Sequence, residues 1–75
     1  MKFRWTVTAP TDPVGEEMWI RGGEIGFLVT DFGCSQWFAF SVDRRETPPR
    51  TYGHPCKSLA DGKKIAEGTA RKLVQ

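Results

Sequence analysis

Seventy-five residues suffice for one small hydrophobic core and leave none for a second, so a catalytic cleft between two lobes is excluded and residues 1–75 read as a single domain. With 39% apolar, 27% charged and 12% aromatic residues, the composition is that of a folded chain, and no apolar run approaches the roughly 18 to 20 residues that cross a bilayer. Lys and Arg number 11 against 9 Asp and Glu, and the resulting +2 is too small to announce nucleic acid and too positive for an acidic DNA mimic.

The first segment, Lys2 to Thr8, alternates strictly, with Phe3, Trp5 and Val7 on one side and Lys2, Arg4, Thr6 and Thr8 on the other, the pattern of a half-buried strand. The N-terminal MKFRWTVTAP has no apolar core of the kind a signal peptide needs, so a cytoplasmic protein is expected. Two prolines in Ala9-Pro10-Thr11-Asp12-Pro13 remove amide donors and make that stretch a connection. Glu17 to Arg21 and Glu24 to Thr30 flank Gly22-Gly23, which fits a hairpin whose two central residues take positive φ. Asp31 to Gln36 reads as a longer turn, and Trp37 to Val42 as an aromatic returning strand.

Asp43 to Pro55 mixes cations and prolines without apolar periodicity and is expected to be an exposed, unordered excursion. Ser58 then starts a helix that runs to about Leu73, with Asp61 three residues on in a capping-box-like place. Leu59, Gly62, Ile65, Ala66, Thr69, Ala70 and Leu73 fill one arc of it and the charged residues lie mostly opposite. Gly62 and Gly68 each cost about 1 kcal/mol of helix propensity relative to Ala. Gly62 is expected to be kept for close packing, with Phe and Trp rings of the sheet filling the volume that larger helix residues would take. The expected fold is α+β: an antiparallel meander of three to four strands with one C-terminal helix on one face.

Cys34, His54 and Cys56 are too few for a structural zinc site and lack paired spacing, so no metal is expected. A Cys34–Cys56 disulfide is geometrically possible, but in a reducing compartment two free thiols are the expectation. One Cys and one His with nothing to orient the imidazole make a poor nucleophile and base, and GGEIG lacks the strand–turn–helix setting of a phosphate cradle. Neither an enzyme nor a cofactor is expected.

Binding surfaces remain. Met18 and Ile20 alternate with Trp19 and Arg21, and Phe38, Phe40 and Val42 alternate with Trp37, Ala39 and Ser41, so both sheet faces carry large rings. If the Phe38, Phe40 and Val42 side meets the helix, Trp37 falls outside, joined there by Trp19 with Leu28 or Arg21 nearby, as an exposed aromatic site. The alternative is that the first strand or the Pro-rich loop folds over these rings. Arg44, Arg45 and Arg50 gather in the excursion, and Lys57, Lys63, Lys64, Arg71 and Lys72 along the helix. The segment from Lys57 onward carries +3 and everything before it −1. Such a pattern is usually a solvated helix face, with Glu67 and Arg71 as an i,i+4 pair.

The stretch Pro55-Cys56-Lys57-Ser58-Leu59-Ala60-Asp61-Gly62-Lys63-Lys64-Ile65-Ala66-Glu67 resembles the ending of small β-meander-plus-helix domains among phage and prophage accessory proteins. That resemblance implies a non-enzymatic protein, monomeric or a weak homodimer, that inhibits or adapts a host protein or nucleoprotein by covering its surface, as anti-CRISPR proteins do. The partner-binding residues would be Trp19, Arg21, Trp37, Arg44, Arg45 and Arg50. A second resemblance is to the three-stranded-sheet DNA-binding domains of phage integrases and plant AP2 proteins. It implies nucleic-acid contacts from Lys57, Lys63, Lys64, Arg71 and Lys72, although Arg21 is the only cation between Glu17 and Val42.

Overall fold

The computed structural model describes residues 3–9, 15–33 and 36–73. The expected Ala9–Pro13 connection, apart from Ala9 itself, and the Cys34 thiol lie outside them. Five strands form one antiparallel sheet in chain order: β1 (Thr6–Ala9), β2 (Gly15–Ile20), β3 (Ile25–Asp31), β4 (Trp37–Asp43) and β5 (Arg50–Cys56). One helix, α1 (Leu59–Leu73), packs on one face, and the fold is α+β. No helix among the described residues is long and apolar enough to cross a membrane.

The β2–β3 hairpin has the expected register. Met18 pairs with Phe27 and Ile20 with Ile25, so all four point into the space beneath the helix. Gly22 and Gly23 take φ of 66° and 91°, the left-handed values a primed turn needs. Arg21 also sits at φ 55°, which ends the ladder one residue sooner than the sequence predicts.

β5 corrects the expectation of an unordered excursion and raises the strand count to five. Arg50–Cys56 pairs along its whole length with Trp37–Asp43, after a turn over residues 44–49. It carries no apolar alternation because it is an edge strand, exposed at every position but Cys56. Pro55 is tolerable there because an edge strand has one side on which a missing N–H leaves no partner unsatisfied. β1 is shorter than the predicted Lys2–Thr8 strand. Phe3 and Trp5 precede it and pack against the core, whereas Val7 is exposed.

Ser58 caps α1 as the sequence predicts. Its Oγ accepts the Asp61 N–H at 3.1 Å, its carbonyl accepts the Gly62 N–H at 2.9 Å, and Asp61 Oδ2 accepts the Lys57 N–H at 3.0 Å. The buried arc is Gly62, Ala66 and Ala70. Against it stand Met18, Ile25, Phe27, Val29 and Ala39, all buried. Beneath the arc itself the sheet offers mostly aliphatic and small side chains with Phe27, and the Phe3 and Trp5 rings fill in beside it against the core. The expected spacing reason for Gly62 holds: a Cβ there would lie 2.5 Å from Val29 Cγ1 and 2.9 Å from Cys56 Sγ.

The helix crosses the sheet diagonally. Its first turn meets Val29 and Cys56, while at its last turn Arg21 Nη1 donates to the Leu73 carbonyl at 3.4 Å beside the β2–β3 turn. One corner left by this diagonal is filled by Trp5. Its Nε1–H donates to Glu67 Oε2 at 2.8 Å, and Lys63 Nζ sits 5.4 Å from its ring while pairing with Glu16 at 3.0 Å. The opposite corner, over β4 and β5, is open.

Candidate docking face

Strand register decides which rings face away from the helix. Val29, under the helix, pairs with Ala39, and Ala39 with His54; Trp37 pairs with Cys56, whose sulfur abuts Gly62. Trp37, Ala39 and Ser41 are thus on the helix side, and Phe38, Phe40 and Val42 on the outer side. This reverses the arrangement in which Trp37 lies outside. Trp19, paired with Gly26, is on the outer face together with Leu28, so Trp19 and Trp37 occupy opposite sides of the sheet.

The outer face is apolar and aromatic. Phe32, 61% exposed, makes edge contacts with Phe38 and Phe40 at centroid distances of 5.4 and 5.7 Å, and Phe38 stacks on Phe40 at 5.9 Å. Phe32 reaches this cluster from the β3–β4 turn. Its N–H donates to the Gln36 carbonyl at 2.8 Å, Gly33 takes φ 91°, and Asp31 Oδ1 accepts the Gly33 N–H at 2.6 Å.

Trp19 lies flat over Gly26, where a Cβ would come within 2.5 Å of its ring. The Arg44 guanidinium covers it at 4.6 Å, held there in part by the Arg44 N–H bond to the Glu24 carbonyl at 2.8 Å. Between Trp19 and Phe40 runs a groove of about 330 Å³ floored by Leu28 and Val42 and edged by Glu17 and Thr51. Glu17 and Arg44 are charges at the Trp19 edge of this groove.

Of the residues the sequence marks for partner binding, the structure brings together only Trp19 and Arg44. Arg21 is spent on the end of α1 and lies 3.7 Å from Glu24. Arg45 grips Asp43 through Nε at 2.9 Å and Nη2 at 2.7 Å, and these bonds, with the Arg45 N–H, lower the Asp43 carboxyl to about 2. The Arg45 guanidinium is shifted upward in turn. Arg50 bonds the Tyr52 hydroxyl at 3.0 Å and Glu46 at 3.2 Å. Arg45 and Arg50 brace the β4–β5 turn.

Leu28 lies beside Trp19 as the sequence suggests, and Phe32, Phe38, Phe40 and Val42 are the face residues that sequence reasoning missed. One signal was available: a strand glycine, Gly26, directly opposite a tryptophan leaves room for the ring to lie on the sheet.

On α1, Lys63 and Arg71 are engaged, Lys63 with Glu16 and Arg71 with Glu67 at 3.6 Å and over the Phe3 ring at 5.6 Å. Lys57, Lys64 and Lys72 are exposed and in no ion pair among the described residues. No three His, Cys, Asp or Glu among the described residues are grouped as metal ligands, and Cys56 is a free thiol pushed upward by burial and by the Asp61 carboxylate. Comparison with family models, with curated proteins and with solved structures finds no match.

Proposed function

We propose that this chain is a non-enzymatic binding protein that occupies the surface of a protein partner with its outer sheet face. The observation that carries this reading is the set Trp19, Leu28, Phe32, Phe38, Phe40 and Val42 on the side of the sheet that the helix does not cover. Apolar side chains gathered on an uncovered face, with aromatics dominant, are the make-up of an interface centre rather than of a solvated sheet. The fit is to an apolar projection flanked by charges complementary to Glu17 and Arg44. The narrower reading, an anti-CRISPR-like phage inhibitor of a host protein or nucleoprotein, rests on the C-terminal resemblance and is part of this proposal.

The test is capture of a partner from host lysate, with and without nuclease, by wild type, by Phe32→Glu and by a Lys57→Ala/Lys64→Ala/Lys72→Ala variant, all confirmed as folded. The proposal expects a nuclease-resistant partner, retained by the lysine variant and lost with Phe32→Glu. Self-association in sedimentation that Phe32→Glu abolishes would instead assign the face to a second copy of the chain.

The DNA-binding reading is favoured by one observation, the three exposed lysines of the helix segment that have no ion-pair partner among the described residues. It requires duplex binding whose salt slope drops by about one unit for each phosphate-contacting lysine removed. Tight duplex binding unaffected by Phe32→Glu would reject the occlusion reading.

A further inference from the structure

The open corner beneath the helix diagonal holds a cavity of about 350 Å³. Its walls are Phe27, Ala39 and Ser41 of the sheet and Ile65, Ala66 and Thr69 of the helix, and Tyr52 and His54 of the edge strand stand at its mouth. It opens toward the helix, whereas Trp19 and Phe32 lie on the other face; Phe40, in β4, borders both this cavity and the outer groove. We propose that this cavity is a binding site for a small, neutral, planar aromatic molecule carrying a hydrogen-bond donor.

The size falls at the lower end of the roughly 300 to 1,000 Å³ typical of small-molecule sites. No Asp, Glu, Lys or Arg among the described residues lines it, and the Arg50 guanidinium on the Tyr52 hydroxyl at its mouth is already paired with Glu46, so a charged ligand would lose its hydration with no unpaired charge in the lining in exchange. Two polar groups at the mouth have their hydrogen-bonding roles fixed by neighbours. His54 Nδ1 lies 2.8 Å from the Pro55 carbonyl, and because a carbonyl only accepts, Nδ1 carries the hydrogen of that contact; in the tautomer with no hydrogen on Nε2, that second nitrogen is an acceptor for a ligand donor. The Tyr52 hydroxyl already accepts from Arg50 at 3.0 Å, which leaves its own proton to donate. The fold supplies a precedent in its other corner, where Trp5 packs an indole against the core and donates its N–H to Glu67. The open corner offers the same combination of apolar wall and acceptor, with no side chain filling it as Trp5 fills the other.

Indole is the probe, with indole-3-acetate as its charged counterpart, titrated into the ¹³C-methyl-labelled protein. Saturable shifts of the Ala39, Ala66, Ile65 and Thr69 methyls are expected with indole, at least tenfold weaker binding with indole-3-acetate, and loss of binding in Ser41→Leu and in Thr69→Phe, which fill the cavity from the sheet and from the helix. His54→Ala should weaken indole more than it weakens 1-methylindole, which has no donor. Indole shifts confined to Leu28 and Val42 on the outer face, or undiminished binding in a folded Thr69→Phe protein, would overturn the assignment.

Discussion

Val29 Cγ1 stands where a side chain on Gly62 would begin, 2.5 Å from the position of a Cβ there. Gly68, two turns on in the same helix, has nothing within 4 Å of its Cβ position. Ala at either site gains about 1 kcal/mol of helix propensity, but a methyl forced into a packed interface typically costs about 1–3 kcal/mol. Gly68→Ala should therefore stabilise the protein by about 1 kcal/mol, whereas Gly62→Ala should lower stability by up to about 2 kcal/mol. Urea denaturation of the two variants, compared with wild type, reads the difference in sign.

Much of the fold was legible because local chemistry and tertiary packing agreed. Gly22-Gly23 between alternating segments marked the β2–β3 turn, and Ser58 with Asp61 marked the helix start. Two features were not legible. β5 has no core to face, so nothing in Arg50-Thr51-Tyr52-Gly53-His54-Pro55-Cys56 had to alternate in hydrophobicity. The face of β4 was misjudged because Phe38, Phe40 and Val42 are the more apolar set and look destined for the core. A helix presenting Gly62, Ala66 and Ala70 comes so close to the sheet that small Ala39 belongs beneath it, and Phe38 and Phe40 are left outside. The docking face followed from that parity, which only register fixes.

The Trp19 ring is seated by the absence of a side chain at Gly26 and by the Arg44 guanidinium above it. Gly26→Ala should displace the ring, which is free to move at its outer edge, and shift the Trp19 indole N–H resonance while those of Trp5 and Trp37 hold. Arg44→Ala should cost about 0.5–1 kcal/mol through loss of the cation–π contact. A Trp19 resonance unmoved by both changes would refute this seating.

For the outer face as an interface, Phe32 is the informative position because it is the most exposed ring of the cluster and the one whose removal least disturbs the core. Truncation of a buried interface aromatic costs about 2 kcal/mol or more, about 30-fold in Kd. Phe32→Ala should weaken the captured partner by about that factor while leaving the thermal midpoint within a few degrees of wild type.

Acid should loosen the β4–β5 turn before the core. The Asp43 carboxyl is lowered to about 2 by its bonds to Arg45, so its folded form holds the proton less tightly than the unfolded chain. Its contribution is complete above the ordinary Asp range near about 4 and is lost as pH falls through 2. A ¹³C titration of the Asp43 carboxyl should give its midpoint near 2, and Arg45→Ala should move it upward.

Cys56 should be slow to alkylate. Burial and the Asp61 carboxylate hold its thiol protonated above the usual range, and the thiolate is the reactive form. In a Cys34→Ser background, iodoacetamide at pH 8 should modify the folded chain more slowly than the urea-unfolded chain, and Asp61→Asn should speed the folded reaction. The linked stability is present below the ordinary thiol range and falls as pH rises through the elevated one.

The bond from Trp5 to Glu67 spans 62 positions in a sheet whose strands otherwise pair only with their neighbours in the chain. Without it, and without Arg71 over Phe3, the meander could fray from its first strand inward while the helix stayed docked on β3 and β4. With it, the earliest described residues are fastened to the last two turns of the helix, so the two extremities melt together. In a Glu67→Ala protein the amide protons of Thr6 and Val7 should exchange faster while that of Ala70 is little changed, whereas in the wild type the bond couples what is otherwise a ladder of local hairpins into one cooperative unit.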